Sequence, residues 1–306
     1  MLFVRHGGEK RHFYRGKRVQ NPRHSIHALC SAGLLWLVSA CTPITVLNAV
    51  IPDNGYQRIA DIGYGAHDRQ KLDIYLPLDV AKNTASKTIV FFYGGSWESG
   101  RKEDYKFVAE ALSSAGFIVV LPDYRVYPDV IFPDFVDDAA RAVDWVKTNI
   151  SKHGGDGNQV FVAGHSAGAH IAALLVLDKR YLAHYALGPG DLRGMIGLAG
   201  PYDFLPLKSD TLKTIFGPEH QRWQSQPIHF VDGNSPPMLL LVGNNDLTVW
   251  PKNSRNLAAK IQEKKGKVEL VEFDGYGHVA MVSKLAKPLR GEGRLLNEIV
   301  TFIQQH

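Results

Sequence analysis

Cysteine is nearly absent: the 306-residue chain has two, Cys30 and Cys41, and none from position 42 onward. Beyond that point a disulfide framework, a thiol nucleophile and a cysteine-based zinc site are excluded. The apolar stretch 28–40 has 13 residues, too few for a spanning helix, which needs roughly 20. An excess of one charge is also lacking in the body of the chain. The net charge is +5, from 35 Lys and Arg against 30 Asp and Glu, but residues 1–40 hold seven of the basic side chains and one acid. The remainder has 28 basic and 29 acidic residues. A near-neutral body gives no electrostatic footprint for nucleic acid. Internal repeats and low-complexity tracts are missing too. At 45% hydrophobic and 21% charged, the composition is that of a globular chain, not a disordered one.

The first forty residues read as an address. Positions 1–27 are basic, and the uncharged stretch 28–40 has the length of a secretory signal's apolar region. Val38, Ser39 and Ala40 supply the small residues that a signal peptidase needs, and Cys41 follows at once. The run Leu37-Val38-Ser39-Ala40-Cys41 resembles the lipobox of bacterial lipoproteins. That resemblance implies cleavage before Cys41, a diacylglycerol on its sulfur, and export to the cell envelope, anchored to a membrane. An ordinary cleaved signal followed by chance by cysteine is the simpler alternative. Residues 41–55, apolar but broken by Pro43, Pro52 and Gly55, read as a tether, and 56–306 as one domain.

Within that domain, 56–63 and 70–76 are expected to form a hairpin. Short apolar runs then alternate with helical segments. The runs are Thr88–Tyr93, Phe117–Leu121, Val160–Ala163, Met195–Ala199, Met238–Val242 and Val268–Phe273. Continuous apolar strands imply burial on both faces, as in a parallel sheet. The spacing of Ala139, Val143, Val146 and Ile150 gives one helical face, and the nearly all-apolar 167–177 gives a central buried helix. The fold class is α/β: a mostly parallel central sheet with helices on both faces. Residues 202–236, rich in Pro, Gln, His and aromatics, break the alternation and are expected to be a small cap-like insertion over the strand ends.

Gly164-His165-Ser166-Ala167-Gly168 follows one of these strands and opens the 167–177 helix. The motif alone is weak: roughly one chain in seven of this composition shows it by accident. Strand, sharp turn and helix in that order make it a nucleophile elbow with Ser166 at its tip. Serine needs a base, and the order in such chains is serine, acid, histidine. After position 230 there are only His278, in the Gly-rich loop 274–278, and the terminal His306; His278 is the expected base. The acid is expected to be Asp246, after the strand ending at Val242, with Asp203 as its competitor. An oxyanion formed at Ser166 needs preorganised amides. Ala167, next after the nucleophile, and Gly95 and Ser96, in the loop after Thr88–Tyr93, are the expected donors.

Together these elements resemble an α/β-hydrolase over roughly 60–303. The similarity is to the esterase branch related to hormone-sensitive lipase, arylformamidases and feruloyl-esterase-like carboxylesterases. The residues carrying it are Tyr93-Gly-Gly-Ser-Trp97, Pro122-Asp-Tyr-Arg125-Val-Tyr-Pro128, Phe132-Pro-Asp134, Gly164–Gly168, Gly243–Val249 and Gly275–His278. Tyr93 stands where the branch has a histidine that helps hold the oxyanion loop, a departure that bears on loop geometry and substrate range. The resemblance implies hydrolysis of small carboxylic esters through an acyl-enzyme on Ser166, with no metal and no organic cofactor. An arylformamidase-type amidase and an acetyl or feruloyl esterase on polysaccharide are the alternatives; a non-catalytic binding protein is disfavoured because Ser166 and His278 are both kept. Trp97, Tyr124, Tyr202 and Trp223 are the candidate pocket walls.

Overall fold

The computed structural model describes residues 47–78 and 86–306. The expected leader 1–40 and Cys41 lie outside them. Among the described residues no helix is long and apolar enough to cross a membrane.

Eight strands form one sheet. They are β1 (Tyr56–Gly63), β2 (Lys71–Pro77), β3 (Ser86–Phe92), β4 (Ile118–Pro122), β5 (Gly155–His165), β6 (Gly194–Leu198), β7 (Met238–Gly243) and β8 (Val268–Phe273). Their order is β1-β2-β4-β3-β5-β6-β7-β8. β2 runs antiparallel to β1 and β4, and all later pairings are parallel. The helices are α1 (Lys106–Ser114), α2 (Asp134–Asn149), α3 (Ala167–Leu177), α4 (Lys179–Ala183), α5 (Asp210–Ile215), α6 (Lys252–Glu263), α7 (Ala280–Ser283) and α8 (Arg294–Gln305).

Burial explains which runs became central strands. The apolar residues of β3, β4, β6 and β7 are buried on both faces. β8 is different. It was expected as another two-sided run, yet it is the last strand of the sheet and most of it is only half covered. Its Glu269 and Glu272 fit that margin, and Glu272 is paired with Arg255 of α6 at 2.6 Å. At the other margin β1 is mostly exposed, with Tyr56 buried and Ile59 and Ile62 half covered, and it carries a bulge between Ile59 and Ile62. Helix α3 is buried along its whole length, which a helix apolar all round requires.

The chain winds from β3 to β4 on one side and returns to β5 on the other. The order reverses at β3, and in open α/β sheets the crevice at the carboxyl ends of such strands is where ligands bind. The loop after β3 and the turn after β5 both open there.

Residues 47–53, expected as part of a tether, are fastened to this framework. The Asn48 amide donates to the carbonyls of Glu103 and Asp104, both at 2.9 Å, and Ile51 is buried. The Lys106 ammonium reaches the Asp53 carboxylate at 2.5 Å.

One polar cluster ties the sheet to α2. Asp138 of α2 is buried, and its carboxylate accepts from the Arg125 guanidinium, the Arg125 amide and the Gln70 side chain, at 2.7 to 3.1 Å. Asp138→Ala leaves those donors without an acceptor. The expected cost is about 3 kcal/mol, the low end for a buried pair because Arg125 is partly exposed. Urea unfolding of Asp138→Ala against the parent checks it; a loss under about 1 kcal/mol contradicts the cluster's role.

Candidate active site

Ser166 sits between β5 and α3 with φ 54 and ψ −122, a conformation a non-glycine residue adopts only when its surroundings force it. The flanking glycines show what forces it. A methyl group on Gly164 would come within 2.3 Å of the Gly168 carbonyl carbon, and one on Gly168 within 2.0 Å of the Phe92 carbonyl oxygen. The elbow is thus pressed against both the start of its own helix and the end of β3. The Ser166 amide is anchored to the Leu198 carbonyl at 2.9 Å.

The structure brings Ser166, His278 and Asp246 together. Ser166 Oγ lies 2.9 Å from His278 Nε2, and His278 Nδ1 lies 2.8 Å from Asp246 Oδ2. The carboxylate can only accept, so Nδ1 carries the proton and Nε2 is free to receive one from the serine. Asp246 is buried, and its other oxygen accepts from the amides of Thr248 and Val249 at 2.9 and 2.8 Å. The carboxylate is therefore held at both ends. Asp203 is elsewhere, bonded to Asn256 at 2.6 Å. His306 packs on Phe302 at the end of α8.

The loop after β3 folds over the elbow. A methyl group on Gly94 would lie 2.9 Å from Ser166 Cβ. Gly95, Ser96 and Trp97 all have positive φ, at 141, 55 and 61, so the backbone turns sharply here. Ala167 is the first residue of α3, where amides lack intrahelical acceptors. Among the described residues the amides of Gly95 and Ser96 also meet no acceptor. Three free donors border the nucleophile, and the N-terminus of α3 adds its dipole.

Tyr93 anchors this loop in its own way. Its ring stacks on Tyr124 at 4.5 Å, and the Tyr124 hydroxyl donates to the Tyr93 carbonyl at 2.7 Å. Arg69 donates to the Tyr93 hydroxyl at 2.8 Å, to the Gly100 carbonyl at 2.7 Å and to the Tyr124 carbonyl at 2.9 Å. One guanidinium thus clamps both ends of the turn.

A pocket of about 450 Å³ opens beside Ser166. Ser96 and Trp97 line it together with Phe204, Leu205, Leu207, Leu212 and Trp250; Lys208 and Lys252 are its charged residues, and no carboxylate borders it. Of the four expected walls, only Trp97 is at the pocket. Tyr124 is fully buried beneath the loop as the stacking partner of Tyr93. Tyr202 is fully buried because Gly197 and Gly200 leave room for its ring and for nothing else. Trp223 is half exposed and packs on Phe230 instead. Aromatic content marked the pocket region without saying which rings face it. Among the described residues no group of three or more His, Cys, Asp or Glu could hold a metal ion.

Two further histidines flank the nucleophile, and both are fully buried polar groups with partners. His165 Nδ1 is 2.9 Å from the Tyr105 hydroxyl and Nε2 3.2 Å from the His278 carbonyl. His170 Nδ1 accepts from Trp97 Nε1 at 3.2 Å, and its Nε2 faces the Ser225 carbonyl at 2.7 Å. Burial pushes His165 down to about 3, with the nearby His278 acting in the same direction, while the hydrogen bond to the His278 carbonyl and the Asp246 charge oppose it. Burial pushes His170 down to about 4 against its bond to Ser225. Neither was singled out in the sequence. The signal was there in hindsight, in a histidine wedged between Gly164 and Ser166 and another on a helix apolar all round.

These shifts fix a pH dependence. Between an ordinary value of 6.5 and the depressed folded values, the unfolded chain binds protons that the folded chain refuses. Stability therefore falls as pH drops below about 6.5, by up to ~1.4 kcal/mol per pH unit for each histidine, with no contribution above it. Unfolding midpoints in urea from pH 5 to 8 should show the slope, and His170→Phe should make it shallower. An unchanged slope in that variant contradicts the buried neutral state.

Comparison with known proteins bears on the family and the fold. The BD-FAE family model matches residues 72–261. The chain is 32% identical over 267 residues to a probable isoprenylcysteine alpha-carbonyl methylesterase, ICMEL1, of Oryza sativa subsp. japonica, covering 78% of this chain and 61% of that one. It is 29% identical over 235 residues to the esterase LipC of Mycobacterium tuberculosis, covering 70% and 58%. The chain thus spans about three fifths of the length of these relatives. Among solved structures, the apo form of Thermogutta terrifontis esterase 2 superposes with a TM-score of 0.69 at 25% identity, covering 83% of this chain and 96% of that one. A truncated carbohydrate esterase from gut microbiota gives 0.73 at 21% identity, with 83% and 98% covered. The fold is that of the α/β-hydrolases, and with the family model running from the second strand of the sheet to the end of α6, the chain belongs to the BD-FAE family.

Proposed function

We propose that this protein is a serine hydrolase of small carboxylic esters. The observation that carries the reading is the unbroken line from Ser166 Oγ through His278 to the doubly anchored Asp246. Ser166 attacks the ester carbonyl as His278 Nε2 takes its proton. Asp246 stabilises the imidazolium that forms. The charge developing on the carbonyl oxygen falls to the amides of Ala167, Gly95 and Ser96. His278 then returns the proton to the departing alcohol, and water repeats the sequence to release the acid. The names of the relatives, which include methylesterases and esterases, support ester over amide.

The pocket limits the substrate. Its apolar lining favours aliphatic or aromatic groups, and its two lysines without a facing carboxylate disfavour a cationic one. Ser166→Ala should abolish turnover of p-nitrophenyl acetate and butyrate, by about 10⁴-fold or more, while circular dichroism stays unchanged. In the same assay an ester ending in a quaternary ammonium should be a poorer substrate than its neutral isostere. Undiminished turnover by Ser166→Ala would sink the assignment.

A lipid anchor on Cys41 is the second element of the reading, carried by the run Leu37–Cys41. It places the enzyme at a bacterial cell envelope. Expression in a bacterium with labelled palmitate should mark the parent protein and leave Cys41→Ser unlabelled. Equal labelling of the two rules the anchor out.

A further inference from the structure

The oxyanion loop and the base loop belong to opposite ends of the site, after β3 and after β8, and they meet through a buried chain of hydrogen bonds. The Gly94 amide donates to the Tyr105 hydroxyl at 3.0 Å. That hydroxyl lies 2.9 Å from His165 Nδ1, and His165 Nε2 lies 3.2 Å from the carbonyl oxygen of His278. Tyr105 and His165 are both buried.

The proton positions in this chain follow from chemistry. The His278 carbonyl can only accept, so Nε2 of His165 carries hydrogen. A neutral imidazole then has a lone pair on Nδ1, and the Tyr105 hydroxyl must donate to it. The same hydroxyl is free to accept from Gly94. Every group is satisfied once, and every bond points from the oxyanion loop toward the base.

We propose that Tyr105 and His165 are positioning residues that set the distance between the oxyanion donors and the catalytic histidine. This rests on the ester-hydrolase reading of the site. Neither residue borders the pocket, so neither touches substrate. What they fix is the place of Gly94, next to the donors Gly95 and Ser96, relative to the backbone of His278. Oxyanion donors act only within a few tenths of an ångström of their mark, and a shift of about 1 Å costs roughly 100-fold. Ground-state binding in the pocket is untouched by such a shift.

The test is kinetic and uses the full-length protein with p-nitrophenyl butyrate. Active sites are titrated with a fluorophosphonate, so that kcat refers to competent Ser166 alone. Tyr105→Phe keeps the ring and removes the hydroxyl. It should lower kcat per titrated site by about 10- to 100-fold and leave KM within about twofold. His165→Leu should do the same, and the double variant should be little worse than either single one, since both break one chain. His165→Gln, whose amide can still donate to the His278 carbonyl, should recover part of the loss. Two outcomes overturn the proposal while leaving the hydrolase reading intact. One is a normal kcat per titrated site in Tyr105→Phe, even with lowered stability. The other is full additivity in the double variant. A wild type that neither hydrolyses the ester nor reacts with the fluorophosphonate overturns both.

Discussion

Everything at this site depends on the strained backbone of Ser166. A residue with φ 54 and ψ −122 is held there only because β5, α3 and the end of β3 converge on it. The convergence requires two glycines, since any side chain at Gly164 or Gly168 collides with backbone. In return, the serine hydroxyl stands clear of the sheet with a helix N-terminus behind it. The sheet reverses its order at β3, and the reversal puts the oxyanion loop beside the elbow. The position of the nucleophile, the direction of the dipole and the crevice for substrate are thus one geometric fact.

Most polar groups buried around that point are matched and neutral, the Tyr202 hydroxyl being buried without a partner. His165 and His170 are held uncharged by burial and use both ring nitrogens. Tyr93, Tyr105 and Tyr124 are kept protonated for the same reason, their hydroxyls pushed well above the ordinary range. In the proposed mechanism, a further charge in this layer would compete with the transient imidazolium of His278 and the oxyanion. Asp246 is the deliberate exception, its carboxylate stabilised by two amides and the imidazole it orients. The ion pair of Arg125 with Asp138 instead ties the segment after β4 to α2.

The sheet was legible in the sequence because its central strands are apolar on both faces, a pattern that burial alone selects. The triad was legible because chemistry restricts it to few residue types in a fixed order, and because only one internal histidine follows the acid. Strand ends were less legible: β5 begins at Gly155, five residues before its apolar run, since polar residues pair as well as apolar ones where Ser86 meets Gly155. The pocket walls were not legible. Whether a tyrosine faces substrate or core depends on contacts made far along the chain, as Tyr202 shows by filling the space beside Gly197 and Gly200. Arg69 was invisible for the same reason. Its three acceptors come from Tyr93, Gly100 and Tyr124, and nothing local to Arg69 announces them.

The two margins of the sheet are guarded by different means. β8 carries Glu269 and Glu272, one on each face, with Arg255 ion-paired to the latter. β1 is broken by a bulge, and most of its residues are exposed. An unguarded strand is a template on which another chain can add by backbone hydrogen bonding alone. Here a strand arriving at β8 would bring its side chains up beside these carboxylates, and one arriving at β1 would lose register at the bulge. A parallel sheet whose strands fold slowly from distant parts of the chain is most vulnerable to such capture while it assembles. The margins therefore oppose edge-to-edge pairing while the sheet is still assembling.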